Sequence, residues 1–309
     1  MKLSHLRDIL AVAEHGSLRA AGRHLGIAQP AITRSIREIE HELGVPLFER
    51  HAKGVRLTQM GDIFVRRAAT VQSELRRARE EIDQLKGRAT GQVTVALSTA
   101  SSIALLPRVL ASFRKRYPEA LLKVSESLFH AAESEILEGK IDFYVGPVEE
   151  SATSVKFAVE KLFDNRRLVL GRKGHPLSEA TSMAELADAH WVSPTLSTRT
   201  NENDVGYNPD VDIDQMFARL GLPKPNVVMH ARSALITMLA IADSDLLTVL
   251  PLQWLEYPVT ADRIGAFAGI PPLPAPAICI ARRLDFPLTP MAEYLCDLMS
   301  RAGSNYSKG

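Results

Sequence analysis

From Phe64 to Leu85 the chain repeats an apolar residue at intervals of 4, 3, 4, 3, 4 and 3: Phe64, Ala68, Val71, Leu75, Ala78, Ile82 and Leu85. A seam with that period needs one continuous helix. The run from Thr58 to Lys86 would extend about 40 Å at 1.5 Å per residue, more than a small domain can cover. Its opposite side is dense with Arg and Glu. One amphipathic helix packed on its own domain is the simpler alternative, but length and charge favour a matching helix from a second copy. The helix therefore divides the chain, and the two sides have different textures.

Upstream, "LSHLRDILAVAEHG" places Leu3, Leu6, Ile9, Leu10 and Val12 or Ala13 at helical spacing and stops at Gly16. Ser17 then caps "SLRAAGRHLG", whose Ala20-Ala21 pair lets two helices approach closely, and Gly26 supplies the next turn. In "IAQPAITRSIREIEHELG", Ile32, Ile36, Ile39 and Leu43 fall on one stripe, and Pro30 suits the first turn. Its other side carries Gln29, Thr33, Arg34, Arg37 and His41: hydroxyls, forks and cations that suit phosphates and base edges. This is a helix-turn-helix pattern whose third helix is the reader. The following "GVPLFER" and "HAKGVRLT" have the alternation, Gly and basic residues of a short wing, with Lys53 and Arg56 reaching the flanking backbone. Residues 1–91 hold 16 basic and 11 acidic residues, a net of +5, against −4 for the remainder. That asymmetry supports a nucleic-acid partner only weakly by itself.

The stretch "GSLRAAGRHLGIAQPAITRSIREIEHELGVPLFER", continued by "LTQMGDIF", resembles the winged helix-turn-helix signature of LysR-type transcriptional regulators. The resemblance is strong over residues 1 to 60 and looser afterwards. It implies DNA contacts by Gln29, Pro30, Thr33 and Arg34, with Arg19, Arg37, Lys53 and Arg56 as further candidates and Arg50 of "LFER" holding the wing or a phosphate. The family usually has Ser before the Gln-Pro pair, and this chain has Ala28, so one hydroxyl is missing. His5, His15, His24, His41 and His51 have no ligand-like pairing and read as surface or boundary residues.

After the "GRATG" hinge the texture changes to strands alternating with helices. "QVTVAL", "LLKVSES" and "IDFYVG" read as strands around the helices "SIALLPRVLASFRKRYP" and "AAESEILEG". "RRLVLGRK", "TSMAELAD" and "HWVS" begin a second unit, followed by the helices "DIDQMFARLG" and "SALITMLAIA" and the strands "NVVMHA" and "DLLTVLP". A last strand, "APAICIARR", and helix, "TPMAEYLCDLMSR", return to the first unit. The fold class expected is α/β: an N-terminal winged helix-turn-helix, a long dimerisation helix and two α/β lobes. The lobes resemble the periplasmic-binding-protein-like effector domain of the same family. The expected domains are 1–58 for DNA binding, 59–86 for the linker helix, 87–91 for the hinge and 92–302 for effector binding. Within the last, lobe 1 takes 92–162 and 268–302 and lobe 2 takes 163–267.

Open α/β sheets bind ligands beyond the carboxyl ends of their strands, where helix N-termini present amides to anions. The first strand runs directly into "LSTASSIALLP", so Ser98, Thr99, Ser101 and Ser102 gather there as a small anion site. Simple capping is the alternative, although a cap needs one hydroxyl and four are present. By family analogy Phe129 and Pro147 would line the same cleft, faced by Thr195 and Ser233 from the second lobe. Arg199, in the long loop "SPTLSTRTNENDVGYNPD", is a candidate counter-charge.

Function classes narrow accordingly. The sequence has no Gly-rich dinucleotide loop after a strand, no G-x-x-x-x-G-K-[ST], no H-E-x-x-H and no G-x-S-x-G, so no catalytic residue is assigned. Cys279 and Cys296 lack zinc or disulfide spacing and read as free thiols; no metal and no cofactor is expected. There is no apolar run of membrane-spanning length and no signal-peptide pattern, so the expected location is the cytoplasm and membrane partners are not expected. The reading is a DNA-binding regulator with double-stranded DNA, a small carboxylate or sulfonate effector and its own copies as partners, in a dimer or tetramer, with contact to the transcription machinery compatible. An architectural DNA-binding protein would leave more than two hundred residues unemployed, and an enzyme on the C-terminal lobes has no motif to support it.

Overall fold

A computed structural model describes residues 1–51, 54–88, 90–148, 156–194, 213–231, 233–256 and 262–307, with Arg50 in its main chain alone. The chain divides into two compact units: Met1–Arg88 together with Glu135–Lys140, and Ala89–Ser134 together with Ile141–Gly309.

In the first unit α1 (Leu3–His15), α2 (Leu18–Leu25) and α3 (Gln29–Leu43) are followed by the antiparallel pair β1 (Phe48–His51) and β2 (Gly54–Leu57), then by α4 (Gln59–Leu85). Gly16, Gly26 and Gly44 end the three helices at φ of 60°, 68° and 69°, a conformation that favours glycine. Ser17 Oγ accepts from Ala20 N at 3.4 Å, as its position before a helix requires. The core joins Ile9 and Val12 of α1, Ala21 of α2 and Ile32, Ile36 and Ile39 of α3. Each buried isoleucine contributes about 1.5–3 kcal/mol relative to exposure. Leu43 departs from the stripe and is 42% exposed, because the core past Ile39 is closed by Leu47 instead, at 1%. Glu40 Oε1 accepts from Leu47 N at 2.8 Å and Phe48 N at 3.2 Å, tying α3 to the wing.

The 27 residues of α4 match the length read from the seam. The seam itself is split. Phe64 packs against the helix-turn-helix core, and Ala68 is 2% exposed, so the chain itself covers both. Further along, Val71, Leu75, Ile82 and Leu85 are exposed at 45%, 38%, 51% and 76%, and Ala78 is exposed as well. The helix starts against its own core, which takes up the first seam position, Phe64.

The second unit is a nine-stranded sheet, ordered β4-β3-β5-β11-β6-β9-β7-β8, with β10 paired to β6. The first lobe comprises β3 (Gln92–Leu97), α5 (Thr99–Arg116), β4 (Leu121–Glu126), α6 (Phe129–Leu137) and β5 (Phe143–Pro147), with β3 parallel to both β4 and β5. The second comprises β7 (His190–Pro194), α7 (Ile213–Arg219), β8 (Asn226–Ala231), α8 (Ala234–Ala242), β9 (Leu246–Pro251) and β10 (Ile264–Ala266). Two long antiparallel strands, β6 (Phe157–Arg172) and β11 (Leu273–Arg283), join them, and α9 (Pro290–Tyr306) returns to the first lobe. "RRLVLGRK" is therefore only the second half of a strand. Its first half, "FAVEKLFDN", alternates too irregularly between apolar and charged residues to announce itself.

Candidate DNA-reading face and effector cavity

Helix α3 begins at Gln29 with Ala28 as its N-cap, and no side chain caps it, the consequence of the absent hydroxyl. The stripe of isoleucines turns the opposite side outward. Gln29, Pro30, Arg34 and Arg37 are exposed, and with Thr33 and His41 they line one open face. Thr33 is less available than its position suggests, because its hydroxyl donates to Gln29 O at 3.0 Å. Glu38 shares this face and lies 3.3 Å from His5 Nε2. Arg19 on α2 and Arg56 on β2 are exposed. Lys53 lies outside the described residues, and of Arg50 only its place in β1 is given.

The wing is held by close backbone packing. Val55 N donates to Gly16 O at 2.9 Å, and a Cβ at Gly54, whose φ is +140°, would lie 2.3 Å from that oxygen. Only glycine fits there. Thr58 Oγ1 donates to Pro46 O at 2.8 Å and accepts from Gly61 N at 2.9 Å, which fixes the turn from wing to α4. On β2, Val55 and Leu57 are half-buried while Arg56 points to solvent, the period-two pattern of a strand with one packed face.

In the second unit a cavity of about 70 Å³ lies at the N-terminus of α5, between the two lobes. Ser98, Thr99 and Pro147 line it, as the sequence suggests. Ser98 N donates to Val145 O at 2.9 Å, and Ser98 Oγ accepts from Ser101 N at 3.2 Å. The hydroxyls of Ser98 and Ser101 are 2.8 Å apart, and Ser101 is fully buried behind Ser98, so it supports the site without lining it. Ser102 is half-buried and is not among the described lining residues, since one further residue turns its side chain about 100° around the helix. Thr99 Oγ1 donates to Glu126 Oε1 at the end of β4.

Three other expectations change. Phe129 is 3% exposed and its ring packs 5.6 Å from Tyr144 and 5.2 Å from Phe157; it belongs to the lobe core, and Leu128 before it takes the lining position. Ser233 is the N-cap of α8, accepting from Ile236 N at 3.5 Å, and is not among the described lining residues. Thr195 and Arg199 lie outside the described residues.

The far wall was not legible from motifs. Asn165 and Arg167 on β6, Pro251 at the end of β9, Trp254 beyond it and Pro276 on β11 are among the residues of that wall. The signal available was Asn165, a polar residue inside the strand-like "LFDNRRLVL" that emerges 6% exposed. Arg167 Nε and Nη2 donate to Pro274 O at 3.2 and 2.9 Å, which fixes the guanidinium. Beneath the cavity Tyr144 is fully buried, and burial pushes its phenol well above the ordinary range, so it stays neutral. Among the described residues no group of three His, Cys, Asp or Glu could hold a metal ion, and no helix is long and apolar enough to cross a membrane.

Comparison with known proteins matches both halves. Residues 3–62 fit the family model "Bacterial regulatory helix-turn-helix protein, lysR family", and residues 86–304 fit "LysR substrate binding domain". Over 252 residues the chain is 27% identical to the HTH-type transcriptional regulator GbpR of Azospirillum brasilense, spanning 81% of this chain and 71% of that one. A full-length OxyR variant from Pseudomonas aeruginosa shares the fold with a TM-score of 0.66 at 21% identity, covering 98% of both chains. CbnR complexed with its target DNA has a TM-score of 0.64 at 17% identity, covering 98% of this chain and 100% of that one. With family models matching both the winged helix-turn-helix residues and the two-lobed residues, the chain belongs to the LysR family of bacterial transcriptional regulators.

Proposed function

We propose that α3 enters the major groove of double-stranded DNA with Gln29 and Arg34 foremost, that the wing follows the backbone through Arg56 and Lys53, and that a small organic anion bound in the second unit tunes this binding. The observation that carries the reading is the outward row Gln29, Arg34 and Arg37 on a helix whose other side is anchored by Ile32, Ile36 and Ile39. Arg19, Pro30 and Thr33 contribute around that row, and Arg50 steadies the wing.

The boundaries follow the elements: residues 1–58 read DNA, 59–86 pair with a second copy, 87–91 form the hinge and 92–302 sense the effector. The lobe boundaries at 162/163 and 267/268 fall inside β6 and just before β11. The exposed part of the α4 seam supports dimerisation, since a solvated helix has no reason to place Val71, Leu75, Ile82 and Leu85 on one line. Apolar surface on the second unit, including Leu121 at 54% and Leu235 at 54%, supports further assembly to a tetramer. The protein acts in the cytoplasm and catalyses no reaction.

An anionic effector is supported by the lining of the cavity, in which the α5 N-terminus and Arg167 are present and no described carboxylate takes part. The effector can shift DNA binding only through different affinities for two arrangements of the protein. The test is selection of binding sites from random duplex DNA with the full-length protein, followed by footprinting. Paired half-sites about one or more helical turns apart are expected; enrichment of no sequence at all would overturn the reading.

A further inference from the structure

The outward face of α3 is not uniformly basic. Arg34, Arg37 and His41 line it, and so does Glu38, which follows Arg34 by one helical turn on the same side. Phosphates border both sides of a DNA groove, so an acid on a helix that enters one is repelled by the backbone unless it meets a donor. The other two acids of this helix are placed differently. Glu40 accepts from Leu47 N and Phe48 N and so holds the wing, and Glu42 is not among the described lining residues of the face.

Glu38 is presented rather than folded away. Among the described residues it pairs with His5 on α1 and not with Arg34: its Oε2 lies 3.3 Å from His5 Nε2. The His5 side chain is 11% exposed and that of Glu38 52%, so a packed ring confines a carboxylate that still faces outward. The contact engages one of the two carboxylate oxygens. A side chain confined in advance loses less freedom when it binds.

The major-groove edges of the bases decide what such a group can meet. A carboxylate accepts and cannot donate, whereas guanine presents N7 and O6 and thymine presents O4, all acceptors. Adenine sets its N7 acceptor beside its N6 amine, a pair that suits the amide of Asn or Gln. Cytosine presents its N4 amine without an acceptor of its own beside it, which is the edge a carboxylate fits.

We propose that Glu38 is a base reader whose carboxylate accepts from the N4 amine of a cytosine in the major groove, with His5 as its positioning residue. The inference rests on the reading of α3 as the helix that enters the groove. At 1.5 Å per residue Glu38 stands about 14 Å along the helix from Gln29, roughly four base steps of 3.4 Å. The cytosine therefore lies within about four base pairs of the base that Gln29 meets.

The experiment starts from the site that the full-length wild type selects from random duplex DNA. Each cytosine of that site is replaced in turn by the deoxynucleoside of pyrimidin-2-one, which keeps the ring and lacks the N4 amine. Fluorescence anisotropy should find one cytosine position in each half-site where the wild type loses roughly 5- to 100-fold and Glu38→Ala loses less than about twofold. Glu38→Gln puts an amide in place of the carboxylate, and repeated selection should move the base at that position from cytosine towards adenine. His5→Ala should lose part of the discrimination at the same position, leave the other positions unchanged, and add nothing in the Glu38→Ala background. If every cytosine replacement costs Glu38→Ala as much as the wild type, or if both Glu38 variants simply bind all sequences more tightly, the carboxylate acts on phosphates alone and the proposal is wrong. A wild type that enriches no sequence defeats the placement of α3 itself, which is a different result.

Discussion

Gly146→Ala tests the packing beneath the cavity with a single methyl group. Gly146 lies on β5 and has no positive φ, so on backbone grounds alone alanine should stabilise by about 0.4–1 kcal/mol. The structure reverses that sign. A Cβ at this position would lie 2.1 Å from the hydroxyl oxygen of Tyr144, 2.5 Å from its Cζ and 2.9 Å from Ser98 Cβ. The tyrosine cannot swing away: it is fully buried, its ring rests on Phe129, and its hydroxyl donates to Pro147 O at 3.4 Å. Overpacking costs about 1–3 kcal/mol, and weakening the buried hydroxyl contact adds roughly 0.5–1.5. For a unit of this size the melting temperature should fall by roughly 5–15 °C. Gly265→Ala is the control, because its nearest atom is Lys173 Cγ at 3.6 Å and it too lacks a positive φ. Thermal and urea unfolding of both variants decide the matter. A Gly146→Ala protein that melts with or above the wild type, or a Gly265→Ala protein that loses as much, would refute the clash.

On the proposed DNA-reading face, Gln29→Ala should cost about 1–3 kcal/mol of discrimination between selected and altered sites, while Arg34→Ala should weaken binding to all sites more evenly; fluorescence anisotropy that finds neither change sinks the placement of α3. Replacing Val71 and Leu75 with Lys should leave a monomer in sedimentation and lower DNA affinity through loss of bivalent engagement, and a variant that remains dimeric would remove the seam from the interface. Burial pushes the Cys279 thiol up to about 11 and the Cys296 thiol up to about 12, so both should resist alkylation at pH 8 until the protein is unfolded. Because both values are raised, their contribution to stability is complete below the ordinary value of 9.0 and is lost as pH rises through about 11 and 12, which a pH series of unfolding midpoints can follow.

The elements of the first unit were legible because local rules and tertiary packing agree there. Ile32, Ile36 and Ile39 are buried where the helical period puts them, and Gly16, Gly26 and Gly44 end their helices. Periodicity failed where it cannot see what lies opposite. It put Leu43 in the core beyond the point where Leu47 closes it, and ran the seam back through Phe64 and Ala68, which the chain itself covers. The cavity was half legible. Ser98 and Thr99 follow a strand directly into a helix, a pattern visible in one dimension. Asn165, Arg167 and Trp254 meet them only through pairing of strands far apart in sequence, and no local signal specifies that meeting.

The long antiparallel pair β6 and β11 is also a mechanical element. It is the ribbon that spans both lobes, and its ladder is interrupted by register shifts between Ala275 and Ile278 and between Ile278 and Cys279. Pro276 lies in that interruption and has no N–H to donate, so the ribbon has fewer cross-links there and bends most easily at that point. Pro276 lines the cavity, and Arg167 clasps Pro274 across the same two strands. The interruption of the ribbon between the lobes and the wall of the cavity are therefore one and the same stretch of chain.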